Sequence, residues 1–309
     1  MSDMRNNRRR GRIGKLAFRE MMFGYAGLTP YVLGFLVFSI GPLIYSLWLC
    51  TQRYTILEPP TWVGWANIAK LGRDPLFWKS LKNTTTYSVV SIPLQVLVGY
   101  SLALLLNQKV LGLSFWRTLF YVPSIVPTMA SAYLFVWIFN PQVGLANGLL
   151  KGIGIIGPNW FGDPNWALRT FIIMSLWGTG GGMLLYLAAL QQVPTDLYDA
   201  AKVDGAGAWH RLLNVTLPMT SPVILFMLIM GIIDSFQIFT TAFIITGGGP
   251  VNATLMYVLY LYQVGWSERQ MGYASALAWV LFLVIMALTL LTFRVTRRLV
   301  YYEVGERGA

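Results

Sequence analysis

The sequence predicts an all-α, polytopic membrane bundle of six transmembrane helices with both chain ends on the cytoplasmic side. Three observations predict it. The chain is 56% hydrophobic and only 11% charged, with a mean hydropathy of +0.57, whereas soluble domains carry about 25% charged residues. Six segments reach the ~20 predominantly apolar residues that a spanning helix needs. The net charge of +11 gathers at the two ends, MSDMRNNRRRGRIGK and RVTRR, each flanking an apolar segment. That is the pattern of cytoplasmic anchoring beside the anionic lipid of a bilayer, and it argues against nucleic acid as a partner.

Taken in order, the segments run from about Leu28 to Leu49, Thr84 to Leu106, Thr118 to Phe139, Leu168 to Leu190, Pro222 to Ile245 and Gly272 to Phe293. The organisation expected is a basic cytoplasmic segment over residues 1–27, a six-span domain over 28–296 and a cytoplasmic tail over 297–309. The first apolar run is too long for the core of a secretory signal, and no small-x-small site closes it. Pro42, Pro93, Pro123, Pro127 and the run Gly180-Gly181-Gly182 lie inside spans. Such residues are tolerated where neighbouring helices satisfy the freed backbone groups, so a packed, kinked bundle is expected.

Orientation follows from the basic residues. With the N-terminus inside, Lys109, Arg117, Lys202, Arg211, Arg294, Arg297, Arg298 and Arg307 join the N-terminal cluster on the inner side, a bias of nearly two to one over the outer side. Residues 191–217 then face the cytoplasm, and the loops 51–79, 141–166 and 247–270 face outward. The outer loops carry WVGWANI, PNWFGDPNW and GGGP. They read either as an interfacial aromatic belt or as a surface that receives a partner.

Several chemistries are excluded. The lone Cys50 makes no internal disulfide or multi-thiolate metal site and reads as a small apolar residue near a helix end. The lone His210 has no second histidine with which to hold zinc, so no metal site is expected. No G-x-x-x-x-G-K-[ST] occurs, and no Ser-His-Asp or paired-carboxylate cluster marks a membrane-bound enzyme. Any ATP-derived energy must come from another chain.

The polar insert over residues 194–218, PTDLYDAAKVDGAGAWHRLLNVTLP, separates two apolar spans. Thr195 or Asp196 can cap a short helix after Pro194. Leu197, Ala200 and Ala201 then share a face. Asp204-Gly205 signals a turn, a second short helix fits Ala208 to Val215, and Pro218 restarts the chain at the fifth span. Two short helices around a glycine turn make a knob on which another surface can dock; the plainer alternative is an ordinary loop.

The order Asp199-Ala200-Ala201, three residues, Gly205, nine residues, Val215-Thr216-Leu217-Pro218 resembles the EAA loop of permease subunits of binding-protein-dependent ABC importers. Asp for Glu at 199 and Val for Ile at 215 are its departures from that pattern. The likeness extends along the chain: Trp62-Val63-Gly64-Trp65-Ala66-Asn67, RTLFYVPSIVP from Arg117, Thr246-Gly247-Gly248-Gly249-Pro250 with Thr254, and Gly272-Tyr273-Ala274-Ser275-Ala276 resemble the carbohydrate branch, with its maltose-type and glycerol-phosphate-type permeases. The resemblance implies a second homologous permease subunit, two cytoplasmic ATPase subunits that bind ATP and magnesium, an extracytoplasmic solute-binding protein, a carbohydrate substrate and a bacterial or archaeal cell membrane. It implies no cofactor for this chain. On it, Asp199, Ala200, Ala201, Asp204, Gly205 and Pro218 belong to the ATPase-coupling loop.

Asp234 is the acidic residue placed well inside a span, midway along the fifth. An ionisable group at that depth costs about 2.5–3.5 kcal/mol on insertion scales and is a functional candidate by default. Gln237 and Thr241 follow at three and seven residues, on the same face of a continuous helix. A polar stripe beside Phe236 suits a sugar, whose hydroxyls need partners and whose C–H face stacks on a ring; the bland alternative is interhelical glue. In the resembled maltose-type permeases this stretch contacts sugar, which carries over to Phe236, Gln237 and Thr240. Gly178 and Gly182 of the fourth span fit the same cavity. The competing function is an ion-coupled secondary transporter using Asp234, which would call for inverted repeats and more intramembrane charge.

Overall fold

A computed structural model of the chain describes residues 15–108 and 111–296. Lys109, Arg297, Arg298, Arg307, the N-terminal basic cluster before Lys15 and the 297–309 tail lie outside the described residues.

The first helical stretch comprises α1 (Lys15–Phe35), a π-helical turn (Leu36–Ile40) and α2 (Gly41–Leu49). The chain is therefore already helical at Lys15, well ahead of the expected Leu28. A small hairpin follows, β1 (Gln52–Thr55) pairing antiparallel with β2 (Glu58–Trp62), which was not expected of an all-α chain. Helix α3 (Ala66–Arg73) leads into α4 (Pro75–Leu106), the long helix of the bundle. Its start precedes the expected Thr84 for a local reason. The Asp74 carboxylate accepts from the backbone N–H of Leu76 at 2.9 Å and Phe77 at 3.3 Å, with Pro75 at the first helical position, which is the chemistry of a helix start.

The third and fourth spans are broken. Helices α5 (Leu113–Ile125) and α6 (Thr128–Ile138) meet at 98°, because Val126, immediately before Pro127, is extended (φ −67, ψ 128), the conformation a following proline imposes. After α7 (Leu145–Gly152), a short helix between these spans, α8 (Pro164–Ser175) and α9 (Gly180–Gln192) meet at 42° across a break containing Gly178. The polar insert forms α10 (Thr195–Val203) and α11 (Ala208–Arg211); α11 runs through a π-helical turn (Leu212–Thr216) into α12 (Leu217–Phe236), and α13 (Thr240–Ile245) follows. Pro218 therefore does not restart the chain. The turn before it widens, as does the turn before Pro42, which accommodates a residue that lacks an N–H. Helices α14 (Tyr257–Tyr262) and α15 (Met271–Thr296) complete the order.

Among the described residues, four helical stretches are long and apolar enough to cross a membrane alone, Phe18–Leu49, Pro75–Leu106, Ala208–Ile245 and Met271–Thr296; with each bent pair counted as one span there are up to six. Two cores sit at opposite ends of α4. One gathers Phe77, Tyr257, Leu259, Tyr273 and Leu277 near its start, and the other gathers Tyr100, Ala103, Met183, Tyr186 and Leu190 near its finish. Trp160, at 8% exposure, and Phe139 join the first core, so Trp160 is a packing residue and not part of an aromatic belt. Trp62 and Trp65 are exposed.

Candidate functional site

Between the two cores, halfway along α4, the bundle opens into adjoining cavities. One of about 220 Å³ is lined by Gln95, Gly178, Gly182, Tyr186 and Asp234 among others. A second of about 510 Å³ takes in Gln95, Gly178, Asp234, Gln237, Thr240 and Thr241. Five of the six residues assigned to the path from sequence thus converge here. The sixth, Phe236, does not: it is 2% exposed and packed in the core, and Phe239 supplies the ring at the cavity wall.

The reason lies in the end of α12. The helix stops at Phe236, and Gln237 (φ −100, ψ 11) and Phe239 (φ −132, ψ −61) are non-helical. Asp234 therefore sits in the last turn of α12 and not in the middle of a continuous helix, and Asp234, Gln237 and Thr241 do not share one helical face. The break brings them to one cavity instead. Asp234 and Gln237 are exposed, and among the described residues Asp234 makes no side-chain hydrogen bond or ion pair. A carboxylate within a span that no side chain satisfies needs water, solute or another chain beside it. Gln95 of α4 and Tyr87, Thr128 and Ser175 also line the larger cavity. Sequence reasoning missed Gln95, although a lone amide inside an apolar span is the same signal that singled out Asp234.

Near the C-terminal end of α4 stands the polar insert, whose Leu212 and Leu217 pack against the core around Tyr100 and Leu106. Gly205 has φ +76 and donates its N–H to the Lys202 carbonyl at 3.0 Å, while Ala206 N–H reaches the Ala201 carbonyl at 2.8 Å. These close α10 with a left-handed residue, a conformation that favours glycine. Asp204 is the residue just after the last helical turn, and Asp199 pairs with Lys202 at 2.7 Å. Pro194, and neither Thr195 nor Asp196, precedes the helix, with no side-chain cap. The Tyr198 hydroxyl lies 3.1 Å from the Thr216 hydroxyl and ties α10 to the base of the fifth span. The insert presents Val203 (88% exposed), Trp209 (67%), Leu197 and Ala200 to its surroundings, with Ala201 half-buried. The expected second short helix does not end at Val215; it is the first turn of a helical stretch that runs to Phe236. The ~40 Å from Ala208 to Asp234, at 1.5 Å per residue, is spanned by one helical rod.

At the other end of α4, the Asp74 carboxylate accepts hydrogen bonds from the hydroxyls of Tyr260 and Tyr273. Burial alone would raise its pKa, but the bonds from Tyr260, Tyr273 and the backbone N–H groups of Phe77 and Leu76 outweigh burial and hold it below the usual carboxylate value. The loop before α14 is tied down by Asn83, whose side-chain amide donates to the carbonyls of Asn252 at 2.8 Å and Leu255 at 3.1 Å. Thr254 donates to the Gly249 carbonyl at 2.6 Å. Cys50 is buried, and burial pushes its thiol up to about 11, away from the thiolate form.

Residues 95–301 match the family described as binding-protein-dependent transport system inner membrane component. The chain is 39% identical over 293 residues to the probable ABC transporter permease protein YesP of Bacillus subtilis, covering 93% of this chain and 94% of that one. It is 34% identical to the trehalose/maltose transport system permease protein MalF of Thermococcus litoralis, covering 92% and 96% of the two chains, and 35% identical to the lactose transport system permease protein LacF of Rhizobium radiobacter, covering 89% and 94%. Its backbone superposes, with a TM-score of 0.82 at 24% identity, on a chain of a bacterial ABC transporter involved in the import of the acidic polysaccharide alginate, covering 94% of this chain and 100% of that one.

Proposed function

The chain belongs to the family of binding-protein-dependent transport system inner membrane components, and on that premise we propose that it is the permease subunit of an ABC importer that passes a sugar or oligosaccharide through the cavity around Asp234. Names of relatives support the substrate class: trehalose and maltose, lactose, and arabinooligosaccharides. The observation that carries the coupling mechanism is the helical rod from Ala208 to Phe236. It joins the exposed knob around Gly205 to Asp234 and Gln237, so a push on Asp199, Ala200, Ala201, Asp204 and Gly205 by a cytoplasmic ATPase is delivered through Pro218 to the cavity wall. Two ATPase subunits, holding ATP and magnesium, supply that push. The ion-coupled alternative drawn from Asp234 finds no support among the relatives.

A second permease subunit completes the path. Asp234 and Gln237 are exposed in this chain alone, and an exposed carboxylate against lipid is costly. Helices α1 and α2 are exposed along nearly all their length, an apolar surface that a second chain can cover. An extracytoplasmic solute-binding protein delivers the sugar to the end of the bundle opposite the knob, and the whole assembly sits in a bacterial or archaeal inner membrane.

The test is Gly205→Pro in the assembled transporter. Proline fixes φ near −65° and removes the N–H that bonds to Lys202, whereas Gly205 sits at φ +76. Membrane insertion persists, and ATPase activity coupled to uptake is abolished. Unchanged uptake removes the docking role.

A further inference from the structure

The end of the bundle opposite the knob carries a second feature that the path does not use. A cavity of about 240 Å³ lies between β1, α3 and the start of α15, lined by Arg53, Asn67, Lys70, Gln270 and Tyr273 among others. It shares no lining residue with the cavities around Asp234, so a solute in transit does not account for it. Two cations face it. The Lys70 ammonium is held in place by the Gln270 side-chain oxygen at 2.7 Å and by the Tyr273 ring, 4.1 Å from its centroid. Gln270 is itself positioned by Glu268, which accepts from its amide at 2.9 Å.

Neither cation has an anionic partner. Among the described residues the one salt bridge is Lys202–Asp199, at the opposite end. Arg53 and Lys70 line the cavity and are exposed, and the exposed Arg269 adjoins its Gln270 in sequence. The acids near them are Glu58, Asp74 and Glu268, and Asp74 is already committed to capping α4 and to two tyrosine hydroxyls. Basic residues on the outer side of a membrane protein run against the charge rule that orients its helices. Two of them lining one cavity, with one ammonium fixed by a ring and an amide, form a preorganised positive site.

We propose that this cavity receives an acidic side chain from the extracytoplasmic solute-binding protein, the carboxylate inserting between Arg53 and Lys70. The proposal rests on the importer function above. Charge complementarity identifies the occupant: the region is positive, opens at the end where the delivering protein must dock, and has room for a side chain. Tyr273 couples the site to the bundle, since its ring carries Lys70 while its hydroxyl bonds to Asp74 at 2.5 Å. An arriving carboxylate is thus read at the joint between α4 and α15.

The experiment uses the complete transporter in lipid nanodiscs, with the solute-binding protein encoded beside it and loaded with its sugar. In the Arg53→Gln, Lys70→Gln double variant, the binding-protein concentration for half-maximal ATPase stimulation rises about fivefold, the range of two exposed ion pairs. Its dependence on salt flattens relative to the unaltered protein, since the screened charges are gone. The basal ATPase rate is unchanged. An unaltered half-maximal concentration with an unaltered salt dependence overturns the proposal. So does an effect that appears without the binding protein and only in nanodiscs containing anionic lipid, which assigns the site to a lipid headgroup. Failure of the unaltered transporter to respond to any sugar-loaded binding protein would instead count against the importer function itself.

Discussion

The Tyr273 hydroxyl donates to the Asp74 carboxylate at 2.5 Å across 199 residues of sequence. The same carboxylate accepts from Tyr260 and caps the first turn of α4, so one side chain joins the start of α4 to α14 and α15. Burial and the neighbouring Asp74 push the Tyr260 hydroxyl pKa upward, which keeps it a donor.

Asp74→Ala removes the cap and both tyrosine bonds together, and destabilises the chain by about 2 kcal/mol, measured as a lowered unfolding temperature in detergent. The pH dependence follows from the depressed pKa of Asp74. Its contribution is fully present above the ordinary carboxylate value of about 3.9. It is lost as pH falls from there through the lower folded value, because the unfolded chain takes up the proton first. Asp74→Ala flattens that part of the stability profile; an unaltered acid limb would show that the carboxylate does not hold the joint.

Glycines of the fourth span separate packing from lining. A Cβ at Gly180 would meet the backbone carbonyl of Phe120, whereas at Gly182 it would meet the Met227 methyl at 2.7 Å, the far end of a flexible side chain. Gly180→Ala forces α5 and α9 apart and costs about 1–3 kcal/mol, while Gly182→Ala folds with little loss. Thermal unfolding of the two variants side by side decides this. Equal stability would mean that α5 and α9 are not in the close contact described.

Much of this was legible in the sequence because membrane spans announce themselves by length. The Asp199-to-Pro218 pattern and Asp234 stood out for the same reason, as polar residues in an apolar chain. The breaks were less legible. Pro123 and Pro127 signalled a kink, yet a 98° turn depends on Val126 being extended, and Pro218 signalled a stop where a widened turn carries the helix through. Nothing near Gln237 is a proline or glycine, so the end of α12 had no local signature, and that break decides that Phe239 and not Phe236 faces the cavity. The hairpin at Gln52–Trp62 was hidden by Pro59 and Pro60, which weaken any strand assignment and are tolerated in an exposed edge strand.

The cavity wall offers a direct choice between a solute path and structural glue. A residue that glues helices has a partner to lose, so its removal lowers stability. Asp234 and Gln237 are exposed, and Asp234 makes no side-chain bond among the described residues. Gln237→Ala therefore leaves the unfolding temperature and the bound ATPase in place, while the sugar concentration for half-maximal uptake rises about tenfold, the loss of one good hydrogen bond. Asp234→Asn keeps the shape and one acceptor but removes the charge, so it weakens uptake less than Asp234→Ala does. Lowered stability in these variants with uptake intact would assign the pair to packing. Unchanged uptake and substrate preference in all three would move the path elsewhere in the bundle, since the cavity they line is the one that joins α4, α8 and α12.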